Sequence, residues 1–217
     1  MMMNLFNIFD PSTSIMSIQL NWISTLFILI FMPNFLWILP NRIKWMYSKL
    51  MNLMNQEMMM LFKNNKIKSP SFMFISMFMF ILFNNFLSLF PYIFSSSSHM
   101  IFSLTMALPF WLFFIIMSII KNYKNFLAHL IPLNTPIYLA PFMTLIETMS
   151  MIIRPLSLSI RLTANLIAGH LLMTLLNFNS MMFFIMIIQM FMMIFELCVA
   201  LIQSHVFSIL SSLYSSE

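Results

Sequence analysis

Arg161 stands in the run Ile153 to His170, IRPLSLSIRLTANLIAGH, between long apolar stretches. A guanidinium cannot shed its proton. At the centre of a bilayer it costs at least ~2.5–3.5 kcal/mol. A membrane helix that keeps such a group either uses its charge or pairs it with a carboxylate from a neighbouring helix, and burial alone leaves both readings open. On a helical wheel of about 100° per residue, Glu147, Arg154, Arg161 and Asn165 share one stripe, with Ser150 and Ser157 beside it. His170 falls on the side opposite Arg161. Further on, Gln189, Glu196 and Gln203 recur at heptad spacing and make a second stripe, from which His205 points away. Polar groups in apolar helices face protein or water-filled cavities rather than lipid. Two such stripes on neighbouring helices describe a hydrated route through apolar protein.

Other chemistries find no support. There is no arrangement of nucleophile and base, and a chain with a single glycine cannot build a Gly-rich phosphate loop. Cys198 has no second cysteine for an internal disulfide and reads as an inert packing residue. No Cys/His cluster suggests a metal, and no cofactor is expected.

The elements that must position these residues follow from composition. Of 217 residues, 61% are hydrophobic and only 7% charged, where soluble domains carry about 25%. A soluble fold would lack polar surface. The apolar runs are continuous instead of alternating, which excludes a barrel. The expected fold is an all-α integral membrane protein forming a single membrane domain, 1–217. A first span is expected at 18–39, with Trp22 and Trp37 as interfacial anchors and Pro33 inside it. Residues 42–64 alternate apolar Ile43, Tyr47, Leu50, Met54, Met58 and Leu61 with polar Lys44, Ser48, Asn52, Gln56 and Lys63. That pattern predicts an amphipathic helix on the membrane surface. Spans follow at 71–90 and at 101–120, the second closed by Lys121 and Lys124. Pro132 to Pro136 reads as a turn, with His129 beside it. His99, after the serines Ser95 to Ser98, reads as an exposed loop residue.

Residues 137–177 and 180–214 are too long to stand upright. The first would be roughly 60 Å long and the second about 50 Å, at 1.5 Å per residue, against ~30 Å of hydrocarbon. Each either splits in two or lies steeply tilted. No loop chemistry surrounds Arg154 to Arg161, so a tilted hairpin turning at Asn177 to Ser180 is preferred. That gives about five membrane helices plus the surface helix. Six of the ten basic residues lie between Arg42 and Lys68. By the positive-inside rule they face the cytoplasm or matrix, which puts the N-terminus on the opposite side and the C-terminus with them. The cluster reflects topology, and no nucleic-acid partner is expected. Met1 to Ser14 carries Asp10 but no Lys or Arg, unlike a signal or transit peptide. The richness in Met, Ile, Phe, Asn and Lys suits an AT-rich organellar genome.

The run Glu147 to Leu172, ETMSMIIRPLSLSIRLTANLIAGHLL, closely resembles subunit a of the F-type ATP synthase in its mitochondrial form. The run Glu196 to Phe207, ELCVALIQSHVF, is similar to a second motif of that family, and Asn84 to Pro91, NNFLSLFP, to a weaker third. The resemblance implies a stator proton-channel subunit of the membrane sector, without catalytic chemistry of its own. Its site is in the mitochondrial inner membrane, with the N-terminus in the intermembrane space and the C-terminus in the matrix. It implies that Arg161 faces a ring of c subunits, each with one carboxylate. It places His170 and Glu196 in the half-channel from the intermembrane space, Glu147 in the matrix half-channel, and Gln203 and Asn165 beside the arginine. Arg154 and Ser157 are accessory to that stripe. Expected partners are the c-ring, other membrane-sector and peripheral-stalk subunits, and lipid.

Three departures stand out. The family often has Gly where Ser88 and Asn134 stand, which leaves local close packing open, and usually Tyr where His205 stands. In an antiparallel hairpin facing residues keep a constant index sum, and Arg161 with Gln203 and His170 with Glu196 agree to within about two. The midpoint of that register falls near residue 182. The alternative is a proton-pumping or structural subunit of a respiratory complex. Mid-membrane lysines would be expected of a pump, whereas here the lysines lie outside the spans.

Overall fold

The computed structural model describes residues 9–13, 18–31, 41–61, 70–90, 93–131, 135–177 and 182–216. Among these there are six α-helices and no strand. They are α1 (Ser24–Phe31), α2 (Arg42–Leu61), α3 (Pro70–Ser88), α4 (Met100–His129), α5 (Ala140–Asn177) and α6 (Met182–Ser216). Short 3-10 turns at Leu20–Ile23, Ser96–Ser98 and Ile137–Leu139 lead into α1, α4 and α5. Four helices are long and apolar enough to cross a membrane, over Ser71–Ser88, Met100–Ile120, Ile137–Leu176 and Phe184–Leu213. The chain is thus an all-α membrane protein. Of the first expected span, α1 is the described helical part; Pro33 and Trp37 lie outside the described residues, as do Pro132 to Asn134 and Phe178 to Ser180.

The helix ends have local causes. Pro70 opens α3 and Pro141 sits in the first turn of α5, where a missing N–H costs nothing. Pro109 and Pro155 lie inside α4 and α5, which continue through them. Membrane helices tolerate such positions because neighbouring groups satisfy the freed carbonyl. Lys121 and Lys124 do not end α4, which runs on to His129.

α5 and α6 are single unbroken helices of 38 and 35 residues, about 57 and 52 Å long. They pack against each other and against the α3–α4 pair, α6 chiefly on α3 and α5 chiefly on α4. Helices that long fit ~30 Å of hydrocarbon only when steeply inclined. The four meet at a junction of Ile81, Ala107, Leu158, Leu162, Leu166 and Phe207. Close approach comes from serine rather than glycine. Ser204, Ser208 and Ser212 form a fully buried stripe on α6, each hydroxyl donating to a carbonyl three residues back. Ser88 is likewise 1% exposed and donates to the Asn85 carbonyl at 2.7 Å. Small residues whose hydroxyls are satisfied within their own helix let neighbours pack closely. This answers the packing question that the loss of glycine raised at Ser88.

α2 packs beside the start of α3. Met54 and Met58 seat against Phe74, Ile75, Phe78 and Met79, with Phe114 and Ile209 at the edge. Met46, Leu50, Leu53 and Met60 remain exposed on another arc of α2. Glu57 Oε2 lies 2.9 Å from His205 Nε2 and ties α2 to α6. α2 therefore sits at the end of the molecule toward which α6 runs.

Candidate functional site

α5 divides into two arcs. Leu158, Leu162 and Leu166, at i, i+4 and i+8, face the junction and are buried. Arg161 lies on the other arc, exposed together with Ser157, Ala164, Asn165 and Ala168. The arginine is therefore flanked one turn before, one turn after and two turns after by small side chains, which leave room for a neighbouring helix to come close. Among the described residues no carboxylate lies within ion-pair distance of Arg161. Arg161 lines a small recess together with Leu158, Leu162, Gln203, Val206 and Phe207. The structure thus joins Arg161 to Gln203 across the α5–α6 contact.

Toward the start of α5, Glu147 Oε1 lies 3.6 Å from Arg154 Nη2, with both side chains about one-third exposed. Ser157 Oγ donates to the Arg154 carbonyl at 2.9 Å. Glu147 is fourteen residues before Arg161, about 21 Å along the axis.

Beyond Arg161 the other ionisable group gathers. A Cβ on Gly169 would come within 2.7 Å of the Cδ and Oε1 of Glu196. The single glycine of the chain is thus where α5 makes room for the Glu196 carboxyl, and the hairpin register passes through this pair. His170, next in sequence, meets the ring of Phe9 edge to face, with centroids 6.1 Å apart, and lies in hydrogen-bonding reach of the Ser88 backbone. His170 Nε2 and Glu196 Oε1 are both buried without a protein hydrogen-bond partner. Buried polar atoms are rarely left so, and a hydrated passage would satisfy both. Along α5 the ionisable groups therefore fall on either side of Arg161.

Sequence reasoning gave Gly169 no role, although a glycine occurring once in 217 residues was itself a signal. Phe9 carried no signal, because the contact joins residues far apart in the chain. Two expectations are corrected. His99 is not an exposed loop residue: Trp22 and Phe94 pack on it at centroid distances of 5.3 and 5.2 Å, and its Nε2 is buried. Cys198 is exposed on α6, because it lies off the serine stripe that packs inward. His205 points away from the α5 contact, as its wheel position implies, and meets Glu57 and, edge to face, Phe78.

This is a helical membrane protein with a fixed cation on an uncovered face and ionisable groups spaced to either side of it. The chain belongs to the ATP synthase A chain family, whose model matches residues 14–216. It is 77% identical to the ATP synthase F(0) complex subunit a of Rhopalosiphum padi, over 99% of each chain. It is 46% identical to ATP synthase subunit a of Aedes aegypti, over 100% of this chain and 99% of that one. To the Drosophila melanogaster ATP synthase subunit a it is 45% identical, with the same coverage. The likeness first read from two motifs extends along the whole chain, and it replaces the respiratory-complex alternative.

Proposed function

We propose that the chain is the stator of a rotary proton motor in the mitochondrial inner membrane. It passes protons to and from a ring of c subunits through two half-channels, and the nucleotide chemistry belongs to other subunits. The observation that carries this reading is Arg161, unpaired by any described carboxylate and set among small residues on an uncovered face.

The mechanism follows from charge in a medium of low dielectric. A ring carboxylate facing lipid is favoured in its neutral form, since desolvation raises its pKa. Beside Arg161 the opposite charge lowers that pKa and releases the proton. Protons enter past His170 and Glu196, load a carboxylate, travel round with the ring and leave past Glu147. Gln203 and Asn165 orient the guanidinium or the arriving carboxylate. Arg154 and Ser157 brace the exit side, where Arg154 holds Glu147. Arg161 stands between the two routes and blocks a direct leak. The membrane field supplies ~2.3 kcal/mol per proton per 100 mV. In this arrangement the N-terminus faces the intermembrane space and α2, with its basic residues, lies on the matrix surface.

The test is Arg161→Ala in the assembled complex. Assembly should survive, because Arg161 is exposed and lies outside the buried helix junction, while proton-driven ATP synthesis should be lost. Ordinary synthesis rates in an assembled Arg161→Ala complex would defeat the proposal.

A further inference from the structure

Residues 9–13 and 18–23, before α1, are held against the fold. Phe9 covers one edge of the His170 ring, and a chain of contacts pins it there. Asn21 Nδ2 donates to the Asp10 carbonyl at 3.2 Å. Thr13 donates to the Ile18 carbonyl through both its N–H, at 3.0 Å, and its hydroxyl, at 2.8 Å. Trp22, one residue past Asn21, packs on Phe94 and His99. Ser24 Oγ donates to the Phe94 carbonyl at 3.4 Å. The Ser96–Ser98 turn beyond them packs on α5, and Ser96 Oγ donates to Asn84 Oδ1 of α3 at 3.3 Å. The N-terminal segment, the start of α1, the α3–α4 connection and the His170 end of α5 thus converge at one end of the molecule.

We propose that residues 9–13 form the outer lip of the His170–Glu196 passage, with Phe9 as its cover and Asp10 as the first acid that a proton meets. This deepens the proton-route reading above and rests on it. The Asp10 side chain is exposed, and its Oδ1 accepts from the Ser12 N–H at 3.1 Å and the Ser12 hydroxyl at 2.9 Å. Those two bonds hold its carboxyl below the usual carboxylate range. An acid of that kind is anionic at neutral pH, so it draws protons in and passes them on without retaining them. Fixed negative charge at the mouth of a low-dielectric passage raises the local cation concentration and the on-rate. Phe9 sits edge to face on His170, and Asp10 follows it in the chain, so the acid lies beside the covered ring. Among the described residues, the other titratable groups at this end are His99, enclosed by Trp22 and Phe94, and His170 and Glu196 beside the proposed passage.

The test uses the whole ATP synthase in proteoliposomes, with proton-driven synthesis measured while the pH of the proton-supplying compartment is varied. Asp10→Asn should lower the rate where protons are scarce, by about tenfold, the lower range of electrostatic focusing, and should converge on the unaltered rate at acid pH. Asp10→Glu should restore the profile. Phe9→Ala, which removes the ring packed on His170, should weaken the pH dependence that Asp10→Asn exposes. A rate unchanged by Asp10→Asn at every pH overturns the proposal. So does a uniform loss that Asp10→Glu fails to restore, since that is a purely structural effect. A parallel Glu196→Leu complex separates the two levels. If Glu196→Leu slows proton flow and Asp10→Asn does not, only the lip fails; if neither slows it, the route itself fails.

Discussion

Gly169 and Glu196 are the pair at which one methyl group decides geometry. A Cβ at position 169 meets the far end of the Glu196 side chain, at 2.7 Å, with Cγ at 3.2 Å. The carboxyl end can rotate away, so the helices need not separate. Gly169→Ala should therefore assemble normally but displace the carboxyl, and proton flux should fall several-fold at unchanged thermal stability. Flux measured alongside a melting curve distinguishes this from a packing defect, in which both would fall. Arg161 is the reverse case. Its charge cannot be removed by deprotonation, so its function depends on where the helix holds it rather than on tuning. Truncating it should act on coupling and leave the fold alone.

At the scale of the element, α2 offers a contest between two kinds of anchor. One is the Glu57–His205 contact at 2.9 Å, with side chains 53% and 39% exposed. Ion pairs as open as this contribute about 0–1 kcal/mol. The other is Met58, fully buried among Phe74 and Phe78, and truncating a buried methionine costs about 2–5 kcal/mol. The methionine should win. Met58→Ala is expected to lower the thermal stability of the complex clearly, while Glu57→Gln shifts it little. A larger loss from Glu57→Gln than from Met58→Ala would show that charge, not packing, seats the helix. The same element illustrates what periodicity can convey. Its apolar spacing predicted a helix, and it is one from Arg42 to Leu61. The spacing could not say which half of the apolar arc would be covered. Met54 and Met58 are buried, while Met46, Leu53 and Met60 are not, because α3, with α6 at its edge, covers one side only.

For the whole molecule, the uncovered arcs of α5 and α6 make a broad apolar surface among the described residues. Ile153, Leu156, Ile160, Phe191, Ile194, Phe195 and Ile202 are all exposed, and lipid can cover apolar groups of this kind. Lipid cannot satisfy Arg161 in their midst. On the proposed function, the neighbour here brings negative charge and fits against Ser157, Ala164 and Ala168. Gentle solubilisation followed by purification through this chain should bring down a ring of small membrane subunits and the soluble ATPase subunits. Recovery of respiratory-complex subunits in their place would contradict the proposed role.

Composition and hydropathy alone determined the class, because an almost uncharged chain can bury its backbone only as helices in lipid. Length determined that the last two segments either split or incline, since a rise of about 1.5 Å per residue is fixed by backbone geometry, and the structure decided for unbroken helices. Spacing determined which polar residues share a face, and the index sums determined the hairpin register. The tertiary structure decided what spacing cannot encode, namely which face meets which neighbour. It placed Gly169 under the Glu196 carboxyl, turned His205 to Glu57, enclosed His99 between Trp22 and Phe94, and brought Phe9 onto His170. All but the Phe94–His99 stack join residues distant in sequence. Such contacts arise from how helices pack against one another, and helix periodicity, a property of one segment at a time, carries no record of them.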